Sequence, residues 1–314
     1  MKGMNIDSLP GIGPATSEEL RAALRLALRT GSEQHEIART EHALRLIESG
    51  QFNPAGVLVA REQGRLIGAM LCQPLAGASG LVWPVQSSPP AGTAELENRL
   101  IEGARTWLRS QGAKMVQCLL AESEASAAPM LLRNGFRHIT RLWYMRHDLD
   151  AIDQDSQEVP ALQLEPYSHC NPLDFERVLL ATYEDSVDCP EITGVRSGSE
   201  IIAGHRAQGR HDPTRWWLAY ARREPVGVLL LTELPEGPGW DLSYLGLVRE
   251  ARGQRFGRRL VEHALRACRM EGASCLTLSV DGRNHAAIRL YHGRGFHAYD
   301  EREVFLDILP RENE

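Results

Sequence analysis

Apolar residues recur along this chain with two periods, and the switches between them mark its elements. Phe256, Leu260, Val261, Ala264, Leu265 and Cys268 fall at helical spacing, which predicts a helix with one apolar face. Leu276, Leu278 and Val280 then alternate with other positions, as in a strand with one buried face. Residues 284–294 read as a short helix and 296–309 as a final strand or hairpin. Upstream, strands are predicted at 216–221, 226–233 and 240–248, the last two joined by a turn-rich 234–239. A strand near 162–164 precedes a helix capped around Asn171, with Pro172 in its first turn, and a second helical pattern runs near 199–208. A strand meander followed by helix, strand, helix and strand predicts an α/β fold in which helices cover a mixed sheet.

The first half repeats this punctuation. Gly112, Gly135 and Phe136 answer Gly272, Gly295 and Phe296 at one constant offset, 160 residues on. Gly112 and Gly272 each follow a helical run and precede an apolar strand, the place of a C-cap glycine. Residues 64–71 likewise read as 223–230 do, a turn and then an apolar strand holding one glycine. A chain of 314 residues has room for two ordinary domains. The repeat predicts two of one plan, 1–150 and 161–314, joined by a polar, proline-ended linker at 151–160.

With 43% hydrophobic and 24% charged residues, the chain has the balance of a soluble globular protein. A net charge of −6 argues against a surface made for a nucleic-acid backbone. No apolar run reaches the length of a membrane span, the best being 226–231. Six cysteines without Cys-x-x-Cys spacing give no reason to expect a metal. The N-terminus lacks the form of a signal peptide, so a cytoplasmic location is expected.

The candidate chemistry lies in the second half. Arg252-Gly253-Gln254-Arg255-Phe256-Gly257-Arg258 separates a strand from a helix, and such a helix start gathers unpaired backbone N–H groups that attract anions. Asn284-x-x-Ala287-x-x-Leu290-Tyr291-x-x-x-Gly295-Phe296 follows. The phenol of Tyr291, ordinarily of pKa about 10, is suited to protonate a departing thiolate of pKa about 8.5.

In this order and spacing the two segments resemble the CoA-binding motifs of the GNAT superfamily of acyl-CoA N-acyltransferases. The resemblance covers the second half directly and implies two tandem GNAT-like mixed-sheet domains with helices covering the sheet. It implies acetyl-CoA as acyl donor, its pyrophosphate held by the loop amides; Arg252, Gly253 and Gly257 match the pattern, whereas Arg255 replaces a glycine. It also implies Asn284 beside the cofactor, Tyr291 as the acid, and a splayed strand end, Leu245, Gly246, Leu247 and Val248, supplying N–H groups to the oxyanion. Gly246 suits a bulge there. Direct attack needs no covalent intermediate, so neither Ser243 nor a cysteine has to serve as nucleophile.

The attacking amine must lose a proton. Simple alternation puts Asp241, Ser243, Leu245 and Leu247 on one strand face, making Asp241 the first candidate base. Its place before Leu245-Gly246-Leu247 resembles that of a glutamate base in a tandem enzyme of the superfamily. A hairpin symmetric about Gly237 sets Glu233 opposite Asp241, and two close carboxylates raise one pKa. The acidic stretch 182–191 is expected to loop over the acceptor and attract a cationic amine. Of Trp216 and Trp217, one is expected in the core and the other in the cleft.

The first half has prolines at 89 and 90 where the phosphate loop belongs, and Leu131 where the tyrosine belongs, so no transfer is expected there. The sequence therefore predicts an N-acetyltransferase moving an acetyl group from acetyl-CoA to a small-molecule primary amine, without nucleic-acid or membrane partners. The alternative is a non-catalytic CoA-sensing or interaction module of the same fold.

Overall fold

The computed structural model describes residues 11–88, 94–149, 162–235 and 237–310. The expected linker at 151–160 and the two prolines of the first-half loop lie outside them. Contacts divide the chain into two compact units, Met1–His138 with Val304–Glu314, and Ile139–Glu303.

The chain begins with β1 (Gly11–Pro14), α1 (Leu20–Ala27), α2 (Glu33–Glu48), β2 (Val57–Glu62), β3 (Arg65–Leu75), β4 (Ser79–Val82), β5 (Gln86–Ser87), α3 (Ala94–Ser110), β6 (Met115–Leu120) and α4 (Ala128–Arg133). It continues with β7 (Arg137–Asp148), β8 (Gln163–Pro166), α5 (Pro172–Tyr183), α6 (Gly198–Arg206), β9 (Trp216–Ala221) and β10 (Glu224–Glu233). The last elements are β11 (Gly239–Leu247), α7 (Phe256–Met270), β12 (Cys275–Asp281), α8 (His285–His292) and β13 (His297–Ile308). The expected elements of the second half are present with boundaries moved by a few residues, and the final segment is one strand rather than a hairpin.

In the first unit the strands run β1-β2-β3-β4-β6, with β5 on β3. In the second they run β7-β12-β11-β10-β9-β8. Only β4–β6 and β11–β12 are parallel among these pairings. Those two pairings repeat one another. Ser79, Gly80 and Leu81 face Met115, Val116 and Gln117, and Gly239, Trp240 and Asp241 face Cys275, Leu276 and Thr277. The glycines of the repeat share a backbone too: Gly112, Gly135, Gly272 and Gly295 have φ of +85°, +81°, +73° and +85°, where a side chain would strain the chain.

The last strand of each sequence half leaves the unit built by the rest of that half. Seven residues of β7 pair with β12 in the second unit. The end of β13 belongs to the first, where Phe305 and Leu309 join the core around Leu100, Ile101 and Leu108. There Arg105 Nε meets Asp307 Oδ2 at 2.5 Å and its guanidinium lies 5.4 Å from the Phe136 ring centre.

The sheet of the second unit has two covered faces. On one, Leu260, Val261, Ala264 and Leu265 of α7 pack on Leu229, Leu231, Trp240, Leu242, Leu276 and Leu278. On the other, Phe175, Val178 and Leu179 of α5 and Ile201 and Ile202 of α6 pack on Trp216, Leu218, Val228 and Leu230. Each such side chain contributes about 1.5–3 kcal/mol on burial. Trp216 and Trp217 take opposite faces as alternation requires, yet both are buried, so neither is left to line a cleft.

Between β10 and β11 the backbones approach closely at Gly227, where a Cβ would lie 2.3 Å from the Gly246 carbonyl oxygen. Gly227→Ala is therefore expected to lower stability by about 1–3 kcal/mol, read as an earlier urea midpoint with the slope unchanged.

Candidate active site

The parallel pairing of β11 with β12 ends at Asp241 and Thr277. Beyond it β11 runs on to Leu247 and β12 to Asp281 without facing each other in register, so a gap opens between two edges carrying backbone N–H and C=O groups. Within that stretch β11 holds one residue too many for β10. Leu230 pairs with Tyr244 and Leu231 with Leu242, which leaves Ser243 as a bulge. Its hydroxyl lies 3.0 Å from that of Thr232 and donates to the Leu230 carbonyl at 3.3 Å.

The bulge reverses the alternation on which the sequence reading relied. Before it, Trp240 and Leu242 face α7; after it, Leu245 and Leu247 do, and Tyr244 faces α5 and α6. Asp241 therefore does not share a face with Leu245 and Leu247. It lies on the α5–α6 side, where the Thr277 hydroxyl donates to its Oδ1 at 2.8 Å. Burial raises its carboxyl to about 6, and the Thr277 hydrogen bond pulls the other way. The bulge also falls at Ser243 and not at Gly246. Gly246 is small for another reason: a Cβ there would stand 2.5 Å from Thr182 Oγ1 and 2.7 Å from the Tyr244 ring.

The hairpin is offset by one residue from the symmetric form, so Thr232 faces Asp241 and Glu233 faces Trp240. The two carboxylates point to opposite sides of the sheet and do not form a pair. Glu233 instead pairs with Arg210 at 3.4 Å. It lines a cavity of 580 Å³ with His211, Arg215, Trp240 and Glu271, beside the C-terminal end of α7.

The loop before α7 is built around two left-handed residues, Gly253 at φ +77° and Arg255 at φ +64°. Arg255 is the N-cap of the helix and no side chain caps it, so the amides of Phe256, Gly257 and Arg258 head the helix without intrahelical acceptors. The arginine holds a left-handed backbone that glycine enters freely, at a cost of about 1–2 kcal/mol. Gly257 lets the helix approach α8, since a Cβ would sit 3.2 Å from Leu290 Cδ2. Arg252 departs from its expected role. Its guanidinium turns inward and donates to the carbonyls of Leu247, Asp185, Thr182 and Glu184 at 3.1, 3.0, 3.0 and 2.7 Å. Its own amide donates to the Arg249 carbonyl. Arg252 thus fastens the end of α5 to the end of β11 and offers nothing to a phosphate.

The turn from β12 into α8 is organised by Asp281, a fully buried carboxylate. It accepts from the Arg283 amide at 2.8 Å, from the Arg283 guanidinium at 2.7 Å, from the Cys189 amide at 3.0 Å and from the Thr140 hydroxyl. Burial works against its charge, but these donors, Arg283 foremost, bring the carboxyl down to about 2. Asn284 then caps α8, its Oδ1 accepting from the Ala287 amide at 3.1 Å. The helix presents Tyr291 inward, 7% exposed and 5.7 Å from the Phe296 ring. Burial raises the phenol above its ordinary range, and the Asp188 carboxylate adds to the shift.

Asp188 belongs to the acidic segment after α5, which is fastened rather than free. Asp185 pairs with Arg249 at 2.5 Å, and Glu191 takes both arms of Arg283 at 2.6 and 3.0 Å. Two of the four carboxylates expected to draw in an amine, Asp185 and Glu191, are thus engaged with arginine. Sequence reasoning missed the Ser243 bulge, which has no side-chain signature. It also missed the Asp281–Arg283–Glu191 network, whose one sequence signal is an aspartate placed just ahead of the Asn284 cap. In the first half, Leu81 stands at the Asp241 position and Leu131, fully buried, at the Tyr291 position.

Residues 179–296 match the model of the Acetyltransferase (GNAT) family. A mycothiol acetyltransferase of Nocardiopsis dassonvillei is 27% identical over 87% of this chain and 89% of its own. Another, from Stackebrandtia nassauensis, is 30% identical over 52% of this chain and 54% of its own. Among solved structures, a GCN5-related N-acetyltransferase from Sphaerobacter thermophilus superposes with a TM-score of 0.62 at 20% identity, over 96% of each chain. A tandem GNAT protein from the clavulanic acid biosynthesis pathway does so with a TM-score of 0.51 at 16% identity, over 96% of this chain and 100% of that one.

Arg252→Lys keeps the charge but loses the fork that reaches four carbonyls. It is expected to lower stability by about 1–3 kcal/mol and to speed amide hydrogen exchange through residues 182–190.

Proposed function

With residues 179–296 belonging to the Acetyltransferase (GNAT) family, we propose that this acyltransferase moves an acetyl group from acetyl-CoA to the primary amine of a small molecule by direct attack. The observation that carries the reading is the bulged, diverging end of β11 between the α7 N-terminus and Tyr291. The match to a mycothiol acetyltransferase along most of both chains supports a small-molecule acceptor. The six free cysteines suit a reducing compartment, the cytoplasm in our reading.

In this reading the amides of Gly253, Gln254, Arg255, Phe256, Gly257 and Arg258 hold the pyrophosphate. Arg252 and Asn284 act only through the backbone they fasten. The edge from Leu245 through Gly246 and Leu247 to Val248 lines the pantetheine arm, and N–H groups at the Ser243 bulge face the oxyanion. Asp241 takes one proton from the ammonium group of the acceptor. The neutral nitrogen attacks the thioester carbon, the C–N bond forms, and the C–S bond breaks as Tyr291 gives its proton to sulfur. The second nitrogen proton restores the phenol, and the proton on Asp241 leaves to solvent. The catalytic copy is the second half, 161–314, and the first, 1–150, contributes no chemistry.

Thiol release is expected to rise with pH through about 6 as Asp241 ionises. Asp241→Asn should remove that limb and lower kcat by about 10²–10⁴-fold. Because the folded carboxyl titrates above its unfolded value, its stabilising contribution is full at low pH and lost as pH rises through about 6. The same variant should then be more stable than wild type at neutral pH, a gain visible in its Tm. Tyr291→Phe should lower kcat and leave the calorimetric acetyl-CoA Kd in place; no acetyl-CoA binding by wild type would sink the reading.

Arg255→Gly should relax the left-handed backbone and raise stability by about 0.5–1 kcal/mol after the entropy of the new glycine is counted. If its guanidinium meets phosphate, acetyl-CoA binding weakens by about tenfold in the same titration.

A further inference from the structure

Past the Ser243 bulge, β11 has parted from β12 on one side, and a bulge bends and twists the strand that carries it. The course of residues 244–247 therefore needs support from elsewhere, and the end of α5 and α6 supply it. Tyr244, the first residue beyond the bulge, lies with its ring against those of Tyr183 and His205, both centres 5.2 Å away. Its hydroxyl stands 2.8 Å from Thr182 Oγ1. Thr182 donates its own hydrogen to the Leu179 carbonyl at 2.6 Å, so the Tyr244 phenol is the donor of the pair. The neighbouring rings are fixed in the same way. His205 Nδ1 lies 3.4 Å from Gln208 Oε1 and carries the hydrogen, which leaves Nε2 to accept from the Tyr183 hydroxyl at 3.2 Å. Burial lowers the imidazole to about 4 and keeps it neutral at neutral pH. Further along β11, the Leu247 carbonyl accepts from Arg252, whose guanidinium also reaches the Thr182 carbonyl. Between these two ties Gly246 has no room for a side chain, since a Cβ there would stand 2.5 Å from Thr182 Oγ1. The end of α5 thus shapes the edge at Tyr244, Gly246 and Leu247 together.

We propose that Tyr244 is a positioning residue for the transfer: seated on α5 and α6, it sets the path of β11 beyond the bulge and with it the N–H groups that face the oxyanion; this rests on the acetyl-transfer reading above. Such donors act only where they already stand at the developing charge, and a shift of about 1 Å removes much of their effect. Pairing with β12 ends at Asp241 and gives no support there. Pairing with β10 flanks the bulge but leaves Ser243 itself without a partner. The first side chain after Ser243 is the shortest lever on that backbone, and Tyr244 supplies a rigid ring with a directional hydrogen bond at its tip. Because Thr182 already engages its hydroxyl, Tyr244 acts through the strand it belongs to and not on the reacting atoms.

Tyr244→Phe keeps the ring and removes the hydroxyl, and Thr182→Val removes the oxygen that accepts from it. Thiol release from acetyl-CoA would be measured with putrescine and with glucosamine as acceptors, alongside the calorimetric acetyl-CoA Kd. Tyr244→Phe is expected to lower kcat about ten- to a hundredfold and leave the Kd in place, because oxyanion contacts are made only in the transition state. The double variant should lose no more than the more affected single one, since both remove the same bond. An unchanged kcat overturns the proposal, as does a matching loss of acetyl-CoA affinity or simple addition of the two losses. Amide hydrogen exchange gives a readout that needs no turnover. Tyr244→Phe should speed exchange at residues 243–247 and leave residues 275–281 of β12 at the wild-type rate; no change at 243–247, or equal acceleration in β12, overturns the proposal. If wild type acetylates neither amine, acetyl transfer to an amine is what fails, and exchange alone decides whether Tyr244 holds the edge. Should Tyr244→Phe fail to fold by circular dichroism, Tyr183→Phe takes its place. It leaves His205 Nε2 without its donor and must lower kcat at an unchanged acetyl-CoA Kd; a wild-type kcat overturns the proposal.

Discussion

Three paired residues on each of two parallel strands, Gly239–Asp241 against Cys275–Thr277, are the constraint on which the second unit depends. They hold β11 and β12 together at one end and let them part at the other. A longer pairing would close the gap, and a shorter one would loosen the sheet that α7 and α5 cover from its two faces. The Ser243 bulge then fixes which side chains face into each layer, since one extra residue in a period-two element exchanges the faces beyond it. Asp241 and Tyr244 come to lie on the α5–α6 side, and Leu245 and Leu247 on the α7 side.

Around that gap the sequence uses its polar residues in two ways. Arg252, Arg283 and Asn284 satisfy backbone and carboxylate groups and thereby hold a turn or a loop in place. Asp241 and Tyr291 are incompletely satisfied and are raised in pKa chiefly by burial. Leaving such groups under-paired costs stability, which is tolerated where chemistry returns a use. The first unit has the same three-residue pairing with Leu81 and Leu131 at the corresponding places, a copy with its polar groups replaced by packing.

Much of this was legible in the chain itself. The helical spacing of Phe256 through Cys268, the alternation of Leu276, Leu278 and Val280, and the positive-φ glycines all follow from local periodicity and steric need. Tyr291 and Asp241 could be nominated from the sequence because the segments that hold them are local as well. What escaped was non-local. A bulge is a mismatch between two strands, so neither β11 nor β10 announces it alone, and the one-residue offset that separates Glu233 from Asp241 has the same origin. Arg252 read as a phosphate ligand because its charge is visible in sequence, whereas the four carbonyls that occupy it come from a helix end and a strand end far apart in the chain.

The division of β13 bears on the order in which the protein takes shape during synthesis. The core of the first unit includes Phe305 and Leu309, and its Arg105 awaits Asp307. Chains emerge from the ribosome at about 5–20 residues per second, and domains usually fold as their own segment appears. Here the earlier unit lacks part of its interior until residue 309 has been made, by which time every other strand of the later unit is already present. The unit that the chain begins first is thus the last to be completed.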